Sequence, residues 1–79
     1  MRITKLATIT QTTTDQIRYL ERKKFIEPSW ATLNSRTVRE YSESDAKKVI
    51  LILKYFSLGF RYEVAYEKAM EELKSPKLI

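Results

Sequence analysis

The first apolar residues of the chain recur at helical spacing and fall into two groups separated by a short polar link. The first group is Ile3, Leu6 and Ala7, with Ile9 as an optional fourth member. The second group, Ile17 and Leu20, shares one helical face at i,i+3 spacing. The link Thr10-Gln11-Thr12 is as brief as the turn between two packed helices needs to be. The pattern therefore predicts two short helices joined by a tight turn.

The second of these helices begins with a capping signal. The side-chain oxygen of Thr12 or Thr13 can accept a hydrogen bond from a first-turn amide, and Asp15 or Gln16 can complete a capping box. We therefore expect the helix to start at Thr13 or Thr14. With the apolar pair turned inward, its flank and solvent side carry Arg18, Tyr19, Arg22 and Lys23.

The helical period fails between residues 24 and 37. Turn-forming residues mark a loop there: Pro28, Ser29, Asn34 and Ser35. Short β-prone pieces around Trp30 and over Val38 to Tyr41 flank it, which predicts a small two-stranded hairpin. We expect Trp30 to pack under this hairpin, with stacking on a nucleic-acid sugar or base as the alternative.

Two more helices are predicted in the second half of the chain. Ser42 and Asp45 form a capping box ahead of an apolar stripe, which comprises Ala46, Val49, Ile50, Leu53 and Phe56. A buried strand competes over Val49–Leu53, but the caps and the length favour a helix that ends before Gly59. The last helix, from about Tyr62 to Leu73, is stopped by Pro76. Its apolar stripe comprises Tyr62, Ala65, Tyr66, Ala69, Met70 and Leu73, with the last two spare for a partner.

An outward row of guanidinium, hydroxyl and amide groups on a short capped helix is typical of a helix that reads DNA. Such groups can meet phosphates and base edges, and a basic hairpin can follow the backbone. The alternative is an ordinary surface helix whose arginines are solvated and bind no DNA. The predicted DNA-contacting residues of the helix are Thr13, Thr14, Asp15, Gln16, Arg18, Tyr19, Arg22 and Lys23. Those of the hairpin are Asn34 and Ser35 at its tip, with Arg36 and Arg39 as phosphate contacts.

These segments, in this order, resemble the winged helix-turn-helix domain of the MerR family of bacterial transcription regulators. The resemblance runs from about Ile3 to Tyr66. The matching positions are Ile3, Leu6-Ala7, Ile17-Arg18-Tyr19, Glu21-Arg22, Phe25-Ile26, Pro28, Arg39, Tyr41-Ser42, Asp45 and Leu58-Gly59-Phe60. The resemblance implies a mainly α fold of about four helices with a small two-stranded wing. It also implies transcriptional regulation by a dimer that bends or twists its operator.

Three positions depart from the family pattern. Gln11 stands where the family usually has a turn glycine, and Lys24 stands where a glycine usually ends the recognition helix. Leu20 occupies a position where a second tyrosine is common. These departures concern the turn geometry and the base preference.

Length and composition narrow the class of protein. A chain of 79 residues allows a single domain, residues 1–79, with a frayed tail over 75–79. Net charge is +5, and residues 1–41 carry eight Lys or Arg against four Asp or Glu, which suits a polyanionic partner. No signal-peptide pattern or membrane-length apolar run occurs, so we expect a cytoplasmic protein with no membrane partner.

The absence of Cys and His removes the commonest metal ligands and the usual general base. We therefore expect no enzyme activity, no metal and no cofactor. The leading hypothesis is a sequence-specific binder of double-stranded DNA that regulates transcription. The alternative is a protein-interaction module, or a DNA-architectural module of the segregation or excisionase type, that uses the same fold. The sequence support for the protein-interaction module is a set of aromatic residues expected to be exposed: Trp30, Tyr55, Tyr62 and Tyr66.

Family members usually continue into a long dimerisation helix and an effector domain. The sequence leaves open whether this chain is a fragment of a longer regulator or a naturally short protein. We expect a monomer in free solution that self-associates on DNA or through a missing C-terminal segment, because most of the last apolar stripe must cover the core. The operator sequence, the effector and the choice between activation and repression are not defined by these residues.

Overall fold

The computed structural model of the protein describes residues 1–74 and confirms the mainly helical winged helix-turn-helix fold. The four helices are α1 (Ile3–Thr10), α2 (Thr14–Arg22), α3 (Glu43–Ser57) and α4 (Tyr62–Lys74). Between α2 and α3 lie two antiparallel strands, β1 (Ser29–Leu33) and β2 (Arg36–Glu40), which form the wing.

The turn between α1 and α2 lies one residue later than the predicted link. Gln11 ends α1 in the left-handed conformation at φ 56°, which glycine adopts more readily than other residues. Thr13 is the N-cap of α2, and its side chain accepts a hydrogen bond from the Gln16 amide at 3.1 Å. The capping threonine of the prediction is therefore confirmed as Thr13. The turn between the two helices thus contains one left-handed residue and one side-chain cap.

The core lies where all four helices meet. Leu6 from α1, and Ile17 and Leu20 from α2, have no exposed surface. The fully buried side chains after the wing are Tyr41, Val49, Ile52, Ala65 and Ala69. Ile9 is 48% exposed, so its optional place in the first stripe was wrong.

The predicted stripe of α3 was partly wrong. Ala46 and Val49 are buried as predicted, but Ile50 and Phe56 are 48% and 41% exposed, and the missed Ile52 has no exposed surface. Residues 49–53 are all apolar, so the pattern does not say which face of the helix turns inward. Contact with α1 and α4 decides the face.

Both ends of α3 are determined by residues that lie next to them in the sequence. The Ser42 side chain accepts from the Asp45 amide, and the Asp45 carboxylate accepts from the Ser42 amide, which confirms the capping box. At the other end Gly59 takes φ 105°, a conformation open to glycine, and separates α3 from α4. The helix prediction for Val49–Leu53 is thus confirmed over the strand alternative.

In α4, Ala65 and Ala69 are buried and Tyr62, Tyr66 and Met70 are half-buried, as the stripe predicted. Leu73 is 38% exposed. The predicted stop at Pro76 and the predicted tail lie outside the described residues.

The wing is a hairpin whose turn consists of Asn34 and Ser35. Both residues have positive φ, 50° and 64°, the pair of conformations that a two-residue type I′ turn requires. The strands pair from Ser29 opposite Glu40 to Leu33 opposite Arg36. The structure therefore confirms that Asn34 and Ser35 form the tip of the hairpin.

Candidate nucleic-acid interface

The outer face of α2 carries the predicted reading residues on a helix whose inner face is fixed in the core. Ile17 and Leu20 are fully buried, so Arg18, between them in sequence, points away from the core. Its guanidinium lies 3.5 Å from the Asp15 carboxylate, and both side chains are largely exposed. An exposed ion pair of this kind contributes little, so it does not prevent Arg18 from engaging a stronger anion.

The flank of α2 is packed against α4. The Gln16 side-chain amide donates a hydrogen bond to the Tyr62 hydroxyl, and the Tyr19 and Tyr62 rings lie 4.9 Å apart. Burial is the first cause that raises the pKa of Tyr62. Gln16 and Tyr19 are half-buried, so the structure places these two predicted DNA contacts at an interhelical contact.

The remaining predicted residues of the helix-turn-helix lie at the two ends of α2. Thr13 is the N-cap of α2, and Thr14, the first residue of the helix, is half-buried. At the far end the Arg22 guanidinium and the Lys23 ammonium each lie 5.9 Å from the Tyr19 ring centroid. Both side chains are exposed, and the ammonium of Lys23, the C-cap residue of α2, also lies 3.9 Å from the Glu63 carboxylate of α4.

A polar bridge joins α2 to the wing. The Glu21 carboxylate accepts from Arg39 Nε at 2.6 Å through Oε2 and from the Tyr41 hydroxyl at 2.8 Å through Oε1. The hydrogen bond and charge of Glu21 raise the pKa of Arg39. Burial first, and then the bond to Glu21, raises the pKa of Tyr41. Arg39, predicted as a phosphate contact, thus has a carboxylate partner inside the protein, although its side chain is still 49% exposed.

Trp30 does not pack under the wing, and that prediction was wrong. Its side chain is 58% exposed, with the Arg39 guanidinium 4.8 Å from its ring. Trp30 and Arg39 are cross-strand partners, so they share one face of the hairpin. The opposite face carries Ala31 and Val38, which are half-buried.

The tip of the wing is open and basic. Asn34, Ser35 and Arg36 are exposed, as expected for a backbone-contacting tip. A shallow groove of about 140 Å³ lies beside it, lined by Arg2, Leu33, Asn34, Arg36 and Val38. The two arginines therefore border one groove, although 34 residues separate them in sequence.

Sequence reasoning missed Arg2 and Glu21. Arg2 precedes α1, and only the fold brings it to the wing. Glu21 was recognised as a matching position, but nothing in a single sequence pairs it with Arg39 and Tyr41, which lie 18 and 20 residues away. Conversely, three aromatic residues predicted to form an exposed patch are packed: Tyr66 stacks on Phe25, Tyr62 stacks on Phe56, and Tyr55 donates to Glu72.

Chemical features of other classes of protein are absent from the described residues. Within residues 1–74, no group of three His, Cys, Asp or Glu side chains is placed to hold a metal ion. In the same part of the chain, no helix has the length and apolar character needed to cross a membrane. What the surface offers instead is a set of cations on α2 and at the wing tip.

The helix-turn-helix, the hairpin that follows it and the exposed cations on both define a winged helix-turn-helix DNA-binding domain. Residues 1–72 match the sequence model of the MerR HTH family regulatory proteins. The chain belongs to this family, and the domain is a DNA-binding regulatory domain. A comparison with curated proteins finds no match.

Proposed function

We propose that the domain binds double-stranded DNA sequence-specifically and regulates transcription, with α2 in the major groove and the wing tip on the phosphate backbone. The supporting observation is the geometry of α2. Two fully buried residues, Ile17 and Leu20, hold the helix in the core and turn Arg18 outward. A reading helix needs such a rigid inner face, because base contacts depend on the exact position of a few side chains.

The roles of the contacts follow from their positions. Arg18, Thr14 and Asp15 lie in the part of α2 that reaches base edges, with Tyr19 and Gln16 on the flank that faces α4. The remaining proposed contacts, on phosphates or sugars, are Thr13, Arg22, Lys23, Asn34, Ser35, Arg36 and Arg39. Because Glu21 holds Arg39, the main phosphate contact of the wing is Arg36, and Arg2 across the groove adds to it.

The test is a titration of labelled duplexes with Arg18→Ala. A base contact predicts a loss of about 1–3 kcal/mol for the cognate duplex selected from a random pool and a smaller loss for a scrambled one. A phosphate contact predicts equal losses for both. Lys68→Ala is the control, because it removes the same charge from α4, where the ammonium lies 4.8 Å from the Phe60 ring. Unchanged affinity for both duplexes would refute the assignment of the reading helix.

A protein-interaction module is the second candidate, supported by apolar side chains at the α3–α4 turn. Phe56, Leu58 and Phe60 are 41%, 66% and 37% exposed. Retention on generic duplex DNA at low salt separates the two candidates. A pure protein adaptor shows no salt-dependent retention, whereas a DNA-binding domain loses affinity steeply as salt rises.

We also propose that the chain is a monomer in free solution, because α4 over Tyr62–Lys74 supplies too few free apolar positions for a stable coiled coil, and that two copies pair on adjacent half-sites. The apolar side chains of α4 that remain outside the core are Val64 and Met70, both half-buried, and Leu73. A stable coiled coil needs several heptads of such positions. Sedimentation equilibrium without DNA tests this, and a persistent dimer at high salt contradicts it.

A further inference from the structure

Trp30 is an exposed aromatic residue that the fold does not need for its core. It is the only tryptophan of the chain, and 58% of its surface is accessible. The neighbouring wing strands hold no fully buried side chain with which it would pack. A ring this exposed adds little apolar burial to the fold and remains accessible to a partner outside the chain.

The register places Trp30 on the wing face that is joined to the recognition helix. Trp30 pairs with Arg39 across the hairpin, and the Arg39 guanidinium lies 4.8 Å from the indole ring. Arg39 in turn bonds to Glu21 of α2 at 2.6 Å. The indole, the guanidinium and the carboxylate therefore form a continuous line from the wing to α2. The indole ring of Trp30 therefore lies against the Arg39 guanidinium, which the hydrogen bond to Glu21 holds in place.

The charges around Trp30, Arg39 and Glu21 favour a polyanionic partner. The Glu21 carboxylate already accepts from both Arg39 and Tyr41, so its charge is compensated. Exposed cations remain on both elements: the side chains of Arg18 on α2 and Arg39 on β2 are 59% and 49% exposed. These two cations and the exposed indole are therefore all accessible to a polyanionic partner.

We infer that Trp30 is a DNA-contacting residue of the wing, whose indole packs against the deoxyribose of a backbone strand. This inference rests on the proposed DNA-binding function. The sugars of an intact duplex present C–H surface between phosphates, whereas its bases are stacked and inaccessible to a ring on the backbone. Sugar contacts of this kind fix the position of a protein on DNA and carry no sequence information. Trp30 therefore sets affinity and wing position, while α2 supplies specificity.

Because Trp30 is the only tryptophan, its own fluorescence reports the contact in the unmodified protein. Saturation with a generic duplex at low salt should shift its emission to the blue and protect it from acrylamide quenching. Binding itself is followed separately by the anisotropy of a labelled duplex. Unchanged emission and quenching at saturation would overturn the inference while leaving DNA binding established.

Substitution provides the second measurement. Trp30→Ala should weaken binding about fivefold, which corresponds to the lower end of the range for loss of an aromatic ring stacked on a nucleic-acid base. The slope of log affinity against log salt should stay the same, because no cation is removed. Trp30→Phe, which keeps a ring, should restore most of the affinity.

Ile50→Ala is the matched control. Ile50 is also an exposed apolar residue, at 48%, but it lies on α3, which carries none of the proposed DNA contacts. Its loss should leave affinity nearly unchanged. A loss for Ile50→Ala as large as that for Trp30→Ala would show that the effect is not specific to the wing, which overturns the inference. Thermal unfolding of each variant confirms that it folds, and absence of binding to any duplex refutes the proposed function and this inference together.

Discussion

The recognition helix and the wing are attached to the same core by different forces. In α2, Ile17 and Leu20 have no exposed surface, so burial of apolar area holds the helix. In the wing, none of the ten strand residues is fully buried. Polar contacts hold the wing: Glu21 bonds to Arg39 and Tyr41, and the N-terminal ammonium bonds to Glu40 at 2.8 Å.

The difference has a functional meaning. Apolar burial is strong and is not screened by salt, so it keeps in place the side chains that are proposed to read bases. Hydrogen bonds and ion pairs at a half-exposed surface are weaker, and salt or a competing anion weakens them further. The helix proposed to supply specificity is thus rigidly held, while the wing, proposed to follow the backbone, can adjust to the DNA.

The largest expected effect is on the apolar attachment. Leu20→Ala should destabilise the domain by about 2–5 kcal/mol, because it opens a cavity at a fully buried site. That is comparable to the roughly 3–5 kcal/mol available to a domain of this size. Val38→Ala in the half-buried wing should cost about 1 kcal/mol or less. Urea unfolding measures both, and equal losses would contradict the contrast between the two attachments.

The polar bridge should have an intermediate effect. Glu21→Gln removes the charge that Arg39 and Tyr41 share, with an expected loss of about 1–2 kcal/mol after allowance for solvent exposure. Faster amide hydrogen exchange should appear in the wing and not in α2. Glu27→Gln, an equal change at an exposed site, is the control. If the wing amides of Glu21→Gln exchange as slowly as before, the bridge does not hold the wing.

Alkaline pH should weaken the same bridge. The pKa of Tyr41 is raised by burial and then by Glu21, so the folded protein holds this proton more tightly than the unfolded chain. The resulting stability is complete below the ordinary tyrosine pKa of about 10 and is lost as pH rises above it. Urea midpoints on either side of that value should fall less in Tyr41→Phe than in the native protein. Some loss should remain in the variant, because the pKa values of Tyr55 and Tyr62 are also raised.

The smallest expected effect lies at the junction of the two regions. Lys24 follows α2 at φ 63°, a left-handed conformation that disfavours a side chain, so Lys24→Gly should stabilise the domain by about 0.5–1 kcal/mol. Its neighbour Lys23 has φ −80°, and Lys23→Gly should instead destabilise. Thermal unfolding distinguishes the two. Equal shifts for both variants would show that backbone strain at Lys24 is not the cause.

Local sequence rules were sufficient for most boundaries of this fold. The Thr13 cap, the Ser42–Asp45 capping box and the Asn34-Ser35 turn all act within a few residues of the chain. The helical stripes of α1, α2 and α4 were also readable, because polar residues interrupt them. The family resemblance was based on matching positions in the right order from Ile3 to Phe60, and the family match over residues 1–72 confirmed it.

The sequence by itself therefore determined the order of elements, the helix starts, the hairpin tip and the outward position of Arg18. Tertiary structure decided which face of α3 is buried, where Trp30 lies, and that Glu21 joins the wing to α2. The physical reason is the distance along the chain over which each kind of interaction acts. Capping and turn formation satisfy backbone groups locally, whereas the choice among equally apolar faces, and the pairing of charges 18 residues apart, depends on what the rest of the chain brings into contact.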